Sequence, residues 1–358
     1  MYLRLAIQAT ARRQNSPSVP PQGTANTSVG VPHYVSKGML PNCFPDEGQA
    51  PEYNTVDATL WYFEAIRAYY EATHDEALLR DLFAVLQDIV DWHVRGERYQ
   101  IHVDPADSLL YAGEPGVQLT WMDAKVDDWV VTPRIGKPVE VNALWYTALR
   151  IMAEFARLLE DADGRRSPDR APFPSVRDLR RSRETYGALA DQARAGFAQF
   201  WNRELGYCYD VLDGPEGNDP ALRPNQLFAV SLPHSPLPDE RRKAVVDACA
   251  RHLLTSHGLR SLDPRHPDHK GHHGGDRRTR DAAYHEGTVW GWLIGPFVSA
   301  HLRVCRDPAL ARSFLQPMLQ RLESHGVGSL SEIFDGDPPH TPRGCTALTW
   351  TVAEVLRG

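Results

Sequence analysis

From about Asn54 onward, apolar residues recur every three or four positions. Val56, Leu60, Phe63, Ile66 and Tyr70 share one face; Leu79, Leu82, Leu86, Ile89 and Val90 share the next. That period places one stripe of a helix against a core. The same pattern predicts helices at about 139–162, 182–203, 223–231, 239–255, 284–303, 308–324 and 342–357. Asn54 is the expected cap of the first. Asp307-Pro308 and Thr341-Pro342 each set a capping side chain before a proline at the first helical position. No convincing run alternates with period two, so the chain reads as all-α with about nine helices.

The links between helices carry further information. They are short around 73–75, 231–238 and 305–307 and long at about 98–138, 204–222, 256–283 and 325–341. Alternation of this kind predicts helix hairpins whose long loops emerge at one end, an α/α toroid with a loop-rich mouth. Long ordered loops in compact domains are usually functional. The Arg/Pro/Ser-rich link at 163–181 breaks the pattern and reads as a surface insertion on the opposite end. Residues 14–32, rich in Pro, Ser, Thr and Gly without periodicity, read as unfolded.

Composition narrows the function. Of 358 residues, 42% are hydrophobic and 24% charged, as in a soluble globular protein. A net charge of −7 argues against nucleic-acid and anionic-membrane partners. The five cysteines form no CxxC pair or zinc spacing and read as thiols of a reducing compartment. No apolar run reaches the roughly 18 residues needed to span a bilayer. Met1–Arg13 lacks the layout of a signal peptide, so cytoplasm is the expected location.

The unusual chemistry lies in the long loops. In Leu119–Val131, Asp123 stands between Trp121 and Trp129, with Lys125 two residues on. Indole neighbours that strip water from a carboxyl raise its pKa and let it hold a proton near neutrality. Flat aromatic faces beside an acid also suit sugar rings, although a surface Asp in an amphipathic loop has the same local sequence. Far along the chain, Glu332 lies between Ser331 and Ile333 in another long loop. Two carboxyls across a glycosidic bond are the minimum for its hydrolysis, one protonating the leaving oxygen and the other activating water or attacking carbon. Asp335 and Asp337 are nearby alternatives. Asp57, Asn142 and Glu286 each lie near the start of an inner helix, where an acid or amide either caps the helix or bonds sugar hydroxyls. His266, His269, His272 and His273 lack a helical HExxH frame or thiolate partners, so no metal site is expected. Arg277, Arg278 and Arg280 are expected to bridge Asp276 and Asp281.

Several runs resemble the C-terminal catalytic domain of glycogen debranching enzymes, the amylo-α-1,6-glucosidase family, over about 33–358. They are Leu40-Pro41-Asn42 through Phe44-Pro45-Asp46-Glu47-Gly48, Pro51–Trp61, Thr120–Lys125, Arg223-Pro224-Asn225-Gln226, Tyr284–Trp290 and Ser331-Glu332-Ile333. The resemblance implies an (α/α)6 toroid that releases α-1,6-linked glucose from branched α-glucan (glycogen or limit dextrin) with inversion and without a cofactor. It makes Asp123 the general acid and Glu332 the general base, with carboxyls about 6.5–9.5 Å apart so that a water fits between them. It also implies sugar contacts from Asp57, Trp61, Trp121, Lys125, Asn142, Tyr284, His285, Glu286 and Trp290. The family usually carries Gln where Glu286 stands, so an added negative charge near the mouth is expected. A ring of six hairpins has twelve helices, and the residues before His33 do not match, so the toroid is expected to be N-terminally incomplete, with apolar helix faces exposed. Two other readings stay open: another α/α-toroid α-glucosidase, glucoamylase- or trehalase-like, and a non-catalytic fragment that binds α-glucan.

Overall fold

The computed structural model describes residues 34–43, 50–96, 98–163, 175–323 and 325–357. The segment 14–32, most of the 163–181 link and the run Phe44–Gly48 lie outside these residues.

The strongest stripes form helices as expected. Helix α1 (Asp57–Thr73) buries Leu60, Phe63 and Ile66, and α2 (Glu76–Arg95) buries Leu79, Leu82, Leu86, Ile89 and Val90. Asp75 caps α2 by accepting the Leu78 N–H at 3.0 Å. The expected Asn54 cap is replaced: Thr55 Oγ1 and Asp57 Oδ1 both accept the Ala58 N–H, at 3.3 and 2.7 Å. Helix α3 (Val139–Asp163) is buried over most of its circumference and packs most extensively on α4 (Val176–Phe197). The latter begins earlier than its apolar stripe predicts, because Ser175 and Asp178 form a capping box. After a 3-10 turn at Pro224–Leu227 come α5 (Phe228–Ser231), α6 (Asp239–His252) and α7 (Arg277–Ala283). Helix α8 (Ile294–Cys305) is followed by α9 (Pro308–Ser313), which has the expected Asp307 cap, then α10 (Gln316–Gln320) and α11 (Thr349–Arg357). Pro317, which lacks an N–H, sits in the first turn of α10, where the predicted single helix over 308–324 is interrupted.

The all-α expectation needs correction. The fold is mostly helical, but among the described residues short antiparallel strands form five small sheets. The largest runs in the order 254–255, 258–260, 289–290, 333–334 and 342–343. The predicted helix over 284–303 therefore forms only from Ile294. Gly287 adopts φ +138°, and the apolar pair Val289-Trp290 is a central strand rather than a helical turn. A short apolar run does not distinguish these outcomes by period. Pro342 likewise opens no helix. It pairs with Phe334 on the edge strand, where a missing N–H costs no ladder bond.

One continuous core runs from Met39 to Val355. Apolar side chains at Leu302, Leu310, Leu319, Trp350 and Leu356 are exposed along α8–α11.

Candidate active site

Asp123 immediately precedes a hairpin, in which Lys125-Val126 pairs with Trp129-Val130 across a turn with Asp127 at φ 52°. The Val131 N–H donates to Ala124 O at 3.0 Å and closes the base of the hairpin. Ala124, Val126 and Val131 form a small apolar cluster against which Tyr284 packs. On the other side, the Val56 N–H donates to Leu119 O at 2.8 Å, and the Trp121 N–H to Asp57 Oδ2 at 2.7 Å. The start of α1 is thereby tied to the acid's own loop.

The Asp123 carboxyl meets solvent, yet protein surrounds it on most sides. Loss of solvation, then the charge of Asp57 and finally that of Glu332 push it up to about 6. Glu332 is thus near enough for its charge to be felt at Asp123. It lies just before the strand 333–334 and is half-buried. Its Oε2 accepts the Cys345 N–H at 2.9 Å. Two acids more than two hundred positions apart in sequence therefore come within electrostatic reach of each other. Of the alternatives, Asp335 is bound by Arg343 Nη2 at 3.0 Å and by the His273 N–H at 2.9 Å; these outweigh its burial and hold it below the usual carboxylate range. Asp337 is exposed.

Around Trp121, two residues before Asp123, lies an aromatic cluster. The Trp121 ring meets Trp290, Trp292 and His285 edge-on, at 5.2, 5.2 and 5.3 Å between centroids. His285 stacks on Trp290 at 4.9 Å, and Trp61 meets Phe228 edge-on at 5.6 Å. The Trp121 indole N–H donates to Asn225 Oδ1 at 2.8 Å, and Asn225 Nδ2 donates to Asp210 Oδ1 at 2.8 Å. Asp210 in turn accepts Arg134 Nε at 2.8 Å, and Arg134 also grips Glu140 through both terminal nitrogens. A sealed ionic chain thus orients the indole beside the acid.

The model of a family described as amylo-alpha-1,6-glucosidase matches residues 30–357. The chain belongs to this family. Its fold is that of a glycoside hydrolase domain. It is 24% identical to the glycogen debranching enzyme of Saccharomyces cerevisiae over 84% of this chain and 25% of that protein, so it spans about a quarter of the relative's length. Among solved structures, it resembles the GH63 mannosylglycerate hydrolase of Thermus thermophilus in complex with glucose. The TM-score is 0.61 at 17% identity, over 92% of this chain and 86% of that one. A GH78 rhamnosidase of Bacillus sp. GL1 follows at TM-score 0.54 and 13% identity, over 86% of this chain and 26% of that one.

Within this glucosidase-family domain, the other expected sugar contacts divide by their surroundings. Trp61, Trp121 and Tyr284 are only partly buried, whereas His285 and Trp290 are buried. Asp57 is buried and already accepts from Thr55, Ala58 and Trp121. Asn142 is fully engaged away from the mouth: its amide bonds Leu110 N–H, Leu110 O and Pro138 O at 2.7, 3.0 and 3.0 Å. Lys125 Nζ donates to Gly116 O at 2.9 Å and braces that loop. Glu286 corrects the expected extra mouth charge, because it is buried against Arg223 Nη2 at 2.9 Å. Trp129 is at the hairpin tip with the Arg278 guanidinium 4.7 Å above its ring centroid. Arg280 pairs with Asp281 at 2.8 Å as expected, but Asp276 caps α7 instead.

The histidine cluster builds the loop wall. His272 Nδ1 approaches Asp335 Oδ2 at 3.3 Å, and the His273 ring lies 5.4 Å from Tyr284. Among the described residues, Asp104, Asp107 and Asp213 have metal-like clustering. Lys137 Nζ fills their centre at 2.8, 2.7 and 2.7 Å, so a lysine supplies the positive charge there. In the sequence, Arg223-Pro224-Asn225-Gln226 stands out only as a matching run. The orienting roles of Arg223 and Asn225, and of Arg134 and Asp210, emerge from the contacts.

Proposed function

We propose that this domain is an inverting glycoside hydrolase that releases α-1,6-linked glucose at branch points of glycogen or limit dextrins. Its helix hairpins would form the wall of an α/α toroid around the sugar. Asp123 gives its proton to the glycosidic oxygen as the C–O bond breaks. Glu332 takes a proton from the water that attacks the opposite face of the anomeric carbon. The product is β-glucose, and each carboxyl is restored by proton exchange with solvent. Trp61, Trp121 and Tyr284 are the residues best placed to hold the glucose. One observation carries this reading. A carboxyl lifted to about 6 lies within electrostatic reach of a second acid that accepts a backbone hydrogen bond.

The test is NMR of the first product released from a branched dextrin. The β-anomer should appear first. The alkaline limb of kcat/KM should fall near pH 6, because the acid must enter protonated. Asp123→Asn and Glu332→Gln should each lower kcat by about 10³-fold or more. Initial α-glucose, or near-normal turnover by either variant, would refute the roles. A second reading draws on the fold likeness to a mannosylglycerate hydrolase: the same carboxyl pair would cleave another α-glycoside. Comparing isomaltose-type, maltose-type, trehalose and mannosylglycerate substrates separates the two.

A further inference from the structure

Glu332 lies against the turn that follows the edge strand 342–343. In that ladder Ile333 pairs with Arg343 and Phe334 with Pro342. One residue further out, the Glu332 N–H donates to Cys345 O at 2.9 Å, and its carbonyl accepts the Gly291 N–H at 3.2 Å. Two neighbouring segments thus fix the backbone of the acid. Its side chain returns to the same turn, where Oε2 accepts the Cys345 N–H at 2.9 Å. Gly344 stands beside that bond, at φ 65°. A Cβ placed on it would collide with Glu332 Oε2 and lie 3.0 Å from Ile333 Cγ1 and 3.3 Å from Glu332 Cβ. Arg343, the residue before, donates from Nη2 to Asp335 Oδ2 at 3.0 Å and ties the strand to the residue after Phe334.

We infer that Gly344 is a positioning residue: its bare Cα lets the Glu332 carboxyl lie against the Cys345 N–H, which anchors Oε2 and leaves Oε1 to meet the attacking water. This rests on the roles proposed above and concerns only how the base is aimed. A free Glu side chain samples many rotamers, and a backbone donor in a strand-anchored turn selects one of them. A left-handed backbone alone would favour Gly but would also admit Asn. The collision with Oε2 excludes every residue that has a Cβ. Because Oε2 is the end of a flexible side chain, an added Cβ is relieved by displacing the carboxyl. The fold yields at little cost, whereas a base moved from its water loses most of its effect.

Gly344→Ala and Gly344→Asn separate the collision from the backbone strain. Kinetics on a branched dextrin should show kcat about 10²-fold lower in both, the scale of a 1 Å misplacement, with KM within about 2-fold. Melting should fall by about 2–4 °C in the alanine variant and by less in the asparagine variant, which tolerates the left-handed backbone. Near-normal kcat in Gly344→Ala would overturn the inference. So would recovery of kcat in Gly344→Asn, which marks strain alone, or a raised KM at unchanged kcat, which marks a sugar contact. A second measurement does not depend on how the 344 variants fold. Hydrogen exchange of the Cys345 amide, followed by NMR, should be about 10-fold or more faster in Glu332→Ala than in the wild type. Equal exchange would mean that no anchoring bond exists, and would also overturn the inference. Glu332→Gln is assayed alongside. If it is inactive while Gly344→Ala turns over normally, only the inference fails; if it is active, the proposed role of Glu332 fails.

Discussion

Two sets of acids lie within one region of this molecule. Glu140, Asp210 and Glu286 are buried, and each faces a buried guanidinium, Arg134 or Arg223. Asp123 is exposed and Glu332 half-buried, within electrostatic reach of each other, and among the described residues no cation pairs with either. The first set orients, since its charges are cancelled and its hydrogen bonds hold Trp121 through Asn225. The second set is left to exchange protons. An acid without a counter-ion in a crowded wall is a poor choice for stability, and that is where proton chemistry is expected.

Breaking the orienting set should give the largest effect on stability. Arg134→Met leaves Glu140 and Asp210 without their buried partner, and removing one side of a buried pair costs about 3–5 kcal/mol. Urea or thermal melting should show that loss, and near-ultraviolet circular dichroism should report a disturbed Trp121. A variant that melts like the wild type would mean that the pairs contribute little and that the contrast is false.

Removing the catalytic candidate should act with the opposite sign. The Asp123 carboxyl is lifted to about 6 in the folded chain, above the ordinary carboxylate range that holds on unfolding. The folded state therefore binds the extra proton. The associated stability is complete below about pH 4 and is lost as pH rises through about 6. Asp123→Asn carries no such charge, so at pH 7.5 it should melt roughly 2 °C or more above the wild type. At pH 4 the two should nearly coincide. Lower melting of the variant at both values would remove Asp123 from the strained set.

Much of this arrangement is legible in the sequence, and the remainder is hidden for physical reasons. The stripes Leu60–Phe63–Ile66 and Leu79–Leu82–Leu86 found their helices, because an amphipathic face repeats over many turns. Strands such as Val289-Trp290 and Ile333-Phe334 are two residues long, too short for a period, and owe their existence to partners far away in sequence. The same distinction holds at the site. Asp123 and Glu332 stood out by local context and family motif. The pairing of Arg134 with Asp210 spans 76 positions and leaves no local trace. Asn142 misled because the first turn of an inner helix suits a sugar contact and a loop anchor equally well; Leu110 and Pro138 take it.

Glu286 gives the smallest and most discriminating comparison, because its sequence position suggests the mouth and its contacts place it in the orienting set. Glu286→Gln keeps an oxygen for Arg223, whose guanidinium still donates to His285 O at 2.8 Å and Ser261 O at 3.2 Å and lies 3.9 Å from Asp210. The substitution should therefore cost about 1 kcal/mol or less, near the value of one neutral hydrogen bond. Glu286 is also not among the groups that lift Asp123, which are the loss of solvent, Asp57 and Glu332. The alkaline limb of kcat/KM should then coincide in Glu286→Gln and the wild type. A displaced limb would show that the Glu286 charge reaches the acid despite Arg223, and that the boundary between the two sets runs elsewhere.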